Sequence, residues 1–326
     1  MQKIIRRIPM KKCARTLYKI VDLGDSHLTE LHHDFSVTSK VIKTIQREEN
    51  RYWCASGDLC GLSITSRRNL DSAFAKRPNE RALVDTGIIR DIETKVIARL
   101  LPIRKKCLFI LEGNHDYDLL LDHEPTLTEK PLTDKETTAL VYSEKHDTSG
   151  KDTPSKRNPI KMSATEYICK RLDVPYGGQG ILYCGVIFEF SKTKKTLVLI
   201  HARHTCTSSS TFAGSLNNLQ KHAILCPSPD IYIGAHDHKH FADVEKREIY
   251  DRNSHNIKYK PVMWVRAGNA LKSRVMGETT YAELRDYGVQ TPGWVTMKIL
   301  VGINKETEGM DLLGLDANTA EVDFLE

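Results

Sequence analysis

Short apolar runs along the chain each stop at a polar cluster, and segments of helical periodicity separate them. Thr16 to Leu23 (TLYKIVDL) reads as a buried strand leading into Gly24-Asp25-Ser26-His27. Behind it, Val37, Val41, Ile42 and Ile45 recur at helical spacing after the capping candidates Ser36 and Thr38, which predicts a crossover helix fading by Asn50. Tyr52 to Ser56 is a second strand and ends at Gly57-Asp58. Ile88, Ile89, Ile92, Val96, Ile97, Leu100 and Leu101 predict an amphipathic helix that Pro102 ends. Cys107 to Leu111 is a third strand and delivers Glu112-Gly113-Asn114-His115-Asp116. Strands joined by helical crossovers argue for a layered α/β sheet.

Residues 121 to 162 are rich in Thr, Lys, Glu, Asp and Pro and read as an inserted cap or mobile loop. Ser163-Ala164-Thr165-Glu166 has capping-box spacing and opens a helix to about Leu172, after which Val174 to Gly178 turns the chain. Ile181 to Phe190 and Thr196 to Ile200 form a hairpin across Lys192 to Lys195, its second strand ending at His201. Leu216 and Leu219 belong to a short helix before Pro227. Ile231-Tyr232-Ile233 is a fifth strand and ends in Gly234-Ala235-His236-Asp237-His238. Val262 to Val265 and Trp294 to Val301 supply further strands, enough for two sheets packed face to face. The expected organisation is one catalytic domain over residues 1 to 310, followed by an acidic tail, 311 to 326, expected to be disordered.

Composition narrows the class. No run of about 18 uncharged apolar residues is present to span a bilayer. The opening MQKIIRRIPMKKC is broken by charge before an apolar signal segment can form, so the cytoplasm is the expected compartment. The 8 cysteines make no CxxC pair, and Cys54, Cys107 and Cys184 lie in apolar runs, as reduced core residues do. The net charge is 48 minus 42, or +6, carried by short scattered clusters. That permits a polyanionic partner but shows no continuous basic stripe.

The chemistry sits where the apolar runs end. Five strands terminating in Asp, Asn or His gather those side chains along one sheet edge, where sites in α/β folds form. Asp25, His27, Asp58, Asn114, His201, His236 and His238 mix carboxylate, amide and imidazole donors without thiolate. Such a set suits Mn²⁺, Fe, Zn²⁺ or Ni²⁺ better than Ca²⁺, which prefers oxygen shells. It overfills one mononuclear site, whereas two metals sharing a carboxylate about 3.5 to 4 Å apart use all of it.

The series Asp25-Ser26-His27, Gly57-Asp58, Gly113-Asn114-His115-Asp116, His201 and His236-Asp237-His238 resembles the calcineurin-like metallophosphoesterases, in that family's motif order, over roughly residues 17 to 301. The resemblance implies an α/β four-layer sandwich of two mixed β-sheets flanked by helices, with the site at the strand ends. It implies that Asp25, His27 and His238 hold a first ion, that Asn114, His201 and His236 hold a second, and that Asp58 bridges them. Two divalent ions, Mn²⁺ foremost, flanking one water would give a hydroxide near neutral pH that attacks phosphorus in line. His115 would then protonate the leaving oxygen, with Asp116 orienting its imidazole. The segments Asp173-Val174-Pro175-Tyr176 and Gly277-Glu278-Thr279-Thr280-Tyr281 are similar, more faintly, to an uncharacterised group of phage and archaeal phosphoesterases.

The chain departs from the family pattern in three places. Ala235 separates Gly234 from His236, Asp58 is followed by Leu59-Cys60-Gly61, and the fourth motif reads His201-Ala202-Arg203-His204. His201 is read as the ligand because it comes first off the strand, and His204 is the alternative. Arg203, His204 and His240 are candidates for substrate contact, as are Arg67 and Arg68, although surface ion pairing accounts equally well for the last two. His32, His33, His222 and His255 read as surface or capping histidines, and Trp53, Trp264 and Trp294 as core. The expected activity is a metal-dependent phosphodiesterase or nuclease acting on a nucleic acid or nucleotide. A phosphomonoesterase of nucleotidase or protein phosphatase type is the alternative, and a non-catalytic scaffold is a third reading.

Overall fold

In the computed structural model, which describes residues 2–11, 15–61, 78–142, 158–204, 212–251, 255–272, 275, 292–304 and 309–318, period-2 alternation sorts the strand side chains onto two faces of each sheet. Six strands form one mixed sheet in the order β15 (Met310–Asn318), β14 (Thr296–Ile303), β2 (Thr16–Asp22), β3 (Arg51–Ala55), β4 (Cys107–Glu112) and β7 (Tyr176–Gln179). The second mixed sheet runs β1 (Gln2–Pro9), β8 (Ile181–Glu189), β9 (Lys195–His204), β10 (Ile231–Ala235), β12 (Asn256–Asn269) and β11 (His240–Asp251). A short β13 (Gly293–Trp294) pairs with the end of β12. In the first sheet β2, β3, β4 and β7 are parallel, and in the second β9, β10 and β12 are. Their C-terminal ends therefore collect the loops at one edge of each sheet.

The layers follow from the faces. Tyr18, Ile20, Cys54 and Leu108 of the first sheet meet Val186, Val198, Ile200, Ile233 and Val265 of the second in an apolar core. The outer face of the first sheet, with Val21, Trp53 and Ile110, packs on α1 (Phe35–Arg47), α2 (Pro78–Asp91) and α4 (Ala164–Leu172) through Ile45, Ile89 and Ile168. The outer face of the second sheet places Tyr232 and Trp264 under Leu219 and Ala223 of α5 (Phe212–Leu225). Two sheets between helical layers match the four-layer expectation.

Several elements differ from the sequence reading. β1 pairs in parallel with β8 but is mostly exposed, so its charged residues conceal it as an edge strand. The helix behind Ile88 begins at Pro78 and continues past Asp91 through a π-helical stretch, Ile92–Ile97, a short α segment, Ala98–Leu100, and a 3₁₀ stretch, Leu101–Lys106. Pro102 stands in the first turn of that 3₁₀ stretch, where its missing N–H has no intrahelical partner to lose, so it does not end the helix. Tyr176 to Gln179 is a paired strand and not only a turn.

The insertion is partly built: β5 (Asp118–Leu121) pairs with β6 (Ile160–Ser163), and α3 (Asp134–Leu140) is closed by a Thr133/Glu136 capping box. Glu93, in the π-helical stretch, and Arg171 of α4 form a wholly buried ion pair, Nε to Oε1 2.7 Å and Nη2 to Oε2 2.9 Å. Arg171 also donates to the Thr126 carbonyl at 2.8 Å, and the Leu132 N–H donates to Glu93 Oε2 at 2.9 Å, so this pair anchors the insertion to the helical layer. The expected disorder of the acidic tail does not hold over its first residues. β15 pairs with β14 in antiparallel register, and Leu312 and Leu315 pack on the core between the sheets.

Candidate metal centre

Beyond Asp22 and Ala55 the chain leaves β2 and β3, yet the two following loops stay zipped together. Asp25 N–H donates to the Gly57 carbonyl at 2.9 Å, His27 N–H to that of Asp58 at 3.0 Å, and Leu28 N–H to that of Leu59 at 2.9 Å. Asp25, His27, Asp58, His236 and His238 all have left-handed φ, at 50°, 49°, 45°, 92° and 56°. Asp and His tolerate this region better than most residues, at a cost of about 1 kcal/mol or more each. Glycines make the room for them: a Cβ on Gly113 would lie 1.9 Å from Asp58 Oδ1, and one on Gly57 2.3 Å from His204 Nδ1.

Two clusters result. Asp25, His27 and His238 form one, and Asp58, His204 and His236 the other, with the offered ligand atoms of each within 4.8 Å of one another. Asn114 Oδ1 lies 2.7 Å from both His204 Nε2 and His236 Nδ1. His27 Nε2 and His238 Nε2 are 3.2 Å apart. Asp25 Oδ2 accepts the His236 N–H at 2.6 Å and Asp58 Oδ1 the His115 N–H at 2.9 Å. The remaining oxygens, Asp25 Oδ1 and Asp58 Oδ2, are buried without a hydrogen bond, although Asp58 Oδ2 lies 3.1 Å from His204 Nε2. Orphaned carboxylate oxygens among imidazoles are what divalent cations satisfy, so the donor set fits two such ions.

Charge follows the same layout. Burial raises the Asp25 carboxyl well above the usual range, with His204 opposing and Asp58 reinforcing the shift. Burial would raise Asp58 too, but His204, with His27 and His115 behind it, holds it below the ordinary carboxylate value. For His204 burial is outweighed by Asp58 and Asp25, which push it up to about 9. Burial keeps His27 neutral, aided by His238, and brings His238 down to about 4. His236 is likewise lowered by burial and by His204. Neutral imidazoles are ready ligands, whereas His204 must give up a proton to bind a cation.

Six of the seven expected ligands, Asp25, His27, Asp58, Asn114, His236 and His238, converge here. His201 does not, and His204 stands in its place. β9 runs on to His204, and Val198, Ile200 and Ala202 put the even positions between the sheets. His201 is therefore on the outer face, its ring centroid 4.9 Å from that of Tyr183 and 5.7 Å from that of Tyr232. Arg203 shares the outer-face parity of His201, which takes it away from the clusters. The sequence alone leaves the parity open, since residues 197 to 200 are all apolar, and the packing of Val198, Ile200 and Ala202 between the sheets decides it.

His115 stands at the rim, 22% exposed, with Nε2 4.0 Å from Asp58 Oδ2. Asp116 does not orient it. Asp116 Oδ1 instead accepts the N–H groups of Tyr117 at 3.0 Å and Thr165 at 3.1 Å, satisfying a donor in the first turn of α4. His240 opens β11 on the inner face with Ala242 and Val244, but belongs to neither cluster. His33 is neither a surface nor a capping residue: it is buried between the Ser26 carbonyl and Thr38 Oγ1, each 2.7 Å away, and Asp34 caps α1. Cys54, Cys107 and Cys184 are buried free thiols, and Trp53, Trp264 and Trp294 are core residues, as read. Arg67, Arg68, the Gly277 to Tyr281 motif and the His222 side chain lie outside the described residues. Sequence reasoning passed over Asp22 and Ser56, which join the two ligand loops.

The chain is similar to two phosphoesterases of known structure. One is a conserved uncharacterised protein, a predicted phosphoesterase, from Streptococcus pneumoniae TIGR4: 8% identity, 94% of this chain and 99% of that one, TM-score 0.30. The other is the calcineurin-like phosphoesterase YfkN from Bacillus subtilis: 8% identity, 94% and 90% coverage, TM-score 0.36. No protein-family model and no curated protein matches. Among the described residues no helix is long and apolar enough to cross a membrane.

Proposed function

We propose that this chain is a metal-dependent phosphodiesterase of nuclease or nucleotide-diesterase type, working with two divalent ions, Mn²⁺ foremost. The observation that carries the reading is the pair of three-residue clusters, with Asn114 beside the second and two orphaned carboxylate oxygens facing inward. Asp25, His27 and His238 would hold one ion, His204, His236 and Asn114 the other, and Asp58, grouped with the second cluster, would serve as the carboxylate shared between them. Bound there, the ions supply Lewis-acid charge to the phosphoryl oxygens and to the attacking water. His115, at the exposed rim, donates a proton to the leaving oxygen, and the bond from its own N–H to Asp58 Oδ1 fixes its place. The buried free cysteines favour a reducing compartment, the cytoplasm.

Hydrolysis of bis-p-nitrophenyl phosphate against p-nitrophenyl phosphate with Mn²⁺ supplied is the test. A diester preference that persists on single-stranded DNA or RNA is the expected result. A strong monoester preference would move the assignment to a nucleotidase or protein phosphatase type of activity, and failure to take up Mn²⁺ would leave a non-catalytic scaffold.

A further inference from the structure

Asp22 is the last residue of β2 and is fully buried, three residues before Asp25. Its Oδ1 accepts the N–H groups of Gly24 and Ser56, each at 3.0 Å, and its Oδ2 accepts the Ser56 hydroxyl at 2.6 Å. Gly24 adjoins Asp25, and Ser56 stands two residues before Asp58, so one carboxylate holds the roots of both ligand loops. The glycine is part of the device: a Cβ at Gly24 would lie 2.3 Å from Ser56 Oγ and displace the hydroxyl. The Gly24 carbonyl is taken as well, by the Trp294 indole N–H at 3.2 Å. The loop-to-loop bonds from Asp25 to Gly57 and from His27 to Asp58 begin immediately beyond this clamp.

A carboxylate buried this deeply is costly unless several donors meet it, and here the Gly24 and Ser56 N–H groups, the Ser56 hydroxyl and the Cys54 thiol do. A clamp placed between one loop that carries Asp25 and His27 and another that carries Asp58 governs the distance between the two clusters. We infer that Asp22 is a positioning residue for the two-ion centre, setting the Asp58 loop against the Asp25 loop through Ser56 and Gly24. The inference rests on the two-ion reading above. A role confined to packing would lower stability without altering how two ions share Asp58, and this separates the two possibilities.

The experiment compares wild type, Asp22→Ala, Asp22→Asn and Ser56→Ala in the full chain, stripped with chelator and titrated with Mn²⁺ by calorimetry, with electron paramagnetic resonance of the loaded samples. Wild type is expected to take two ions with an exchange-coupled spectrum. Asp22→Ala should keep the first ion, bind the second about 10- to 100-fold more weakly and lose the coupled signal. Asp22→Asn should restore both, because its Oδ1 still accepts two N–H groups and its Nδ2 donates to Ser56 Oγ. Ser56→Ala, which removes one bond, should weaken the second ion alone, and it serves as the deciding variant if Asp22→Ala does not fold. Unchanged second-ion affinity and coupling in folded Asp22→Ala, or in Ser56→Ala when it decides, overturn the inference alone. A wild-type chain that binds no Mn²⁺ overturns the two-ion reading and this inference with it.

Discussion

His204 Nε2 lies 2.7 Å from Asn114 Oδ1, joining the end of β9 to the loop after β4 across the gap between the two sheets. His201, three residues earlier, is on the other face between two tyrosines. His204→Ala should therefore lose about 100-fold in turnover with Mn²⁺ and one ion in calorimetry. His201→Ala should keep turnover within a few-fold and lose about 1 to 3 kcal/mol of stability. The opposite pattern of activities would return the ligand role to His201.

Gly113 and Gly87 make a paired test. Gly113→Ala drives a methyl into Asp58 Oδ1, so Mn²⁺ affinity should fall at least about tenfold. Gly87 is inside α2 with open space where a Cβ would be, and Gly87→Ala should stabilise the chain by about 0.5 to 1 kcal/mol without touching metal binding. Thermal melts with and without Mn²⁺ read both.

The buried pair of Glu93 and Arg171 should show the cost of an uncompensated charge. Arg171→Leu alone is expected to cost about 3 to 5 kcal/mol in urea unfolding, because Glu93 is left buried without its partner. Adding Glu93→Leu should recover much of that loss. A double variant less stable than the single would show that the anchoring of the insertion at Thr126 and Leu132 matters more than the charge.

Stability should carry the titration of Asp22. Burial, offset in part by Ser56 and Gly24, pushes its carboxyl up to about 6 from an ordinary 3.8. The folded chain holds this proton more tightly than the unfolded one, so the contribution is complete below about pH 4 and is lost as pH rises through 6. Under chelation, wild-type stability relative to Asp22→Asn should fall across that window by a few kcal/mol, on the order of 3. Urea unfolding at pH 4, 5, 6 and 7 measures it, and a constant difference would contradict the assignment.

The strands that carry the site were legible because each is an apolar run closed by a polar residue. Trp53 to Ala55 and Ile231 to Ala235 are buried at every position, so no other reading of those runs competes. Edge strands were harder. β1 has Arg6 and Arg7 in its middle because one of its sides faces solvent, and in β15 a bulge opposite Leu300 and Val301 shifts the phase, so that Leu312 and Leu315 both reach the core. Nearness in sequence to His115 says nothing about the direction of the Asp116 side chain, and the first turn of α4 offers it a donor that only the folded chain brings near. Asp22 escaped notice for a related reason: its partner Ser56 is 34 residues away.

The left-handed φ of Asp25, His27, Asp58, His236 and His238 bears on which elements this centre can ever hold. Outside glycine, that region is visited readily by aspartate, asparagine and histidine, and these supply the hard and borderline donors found here. A cysteine or glutamate substituted at any of the five would hold the same torsion at a higher cost, because it is less suited to that region than aspartate or histidine. Retuning this centre toward softer metals would therefore have to begin with the main-chain torsions, and a search for variants confined to side chains would keep returning the same donor alphabet.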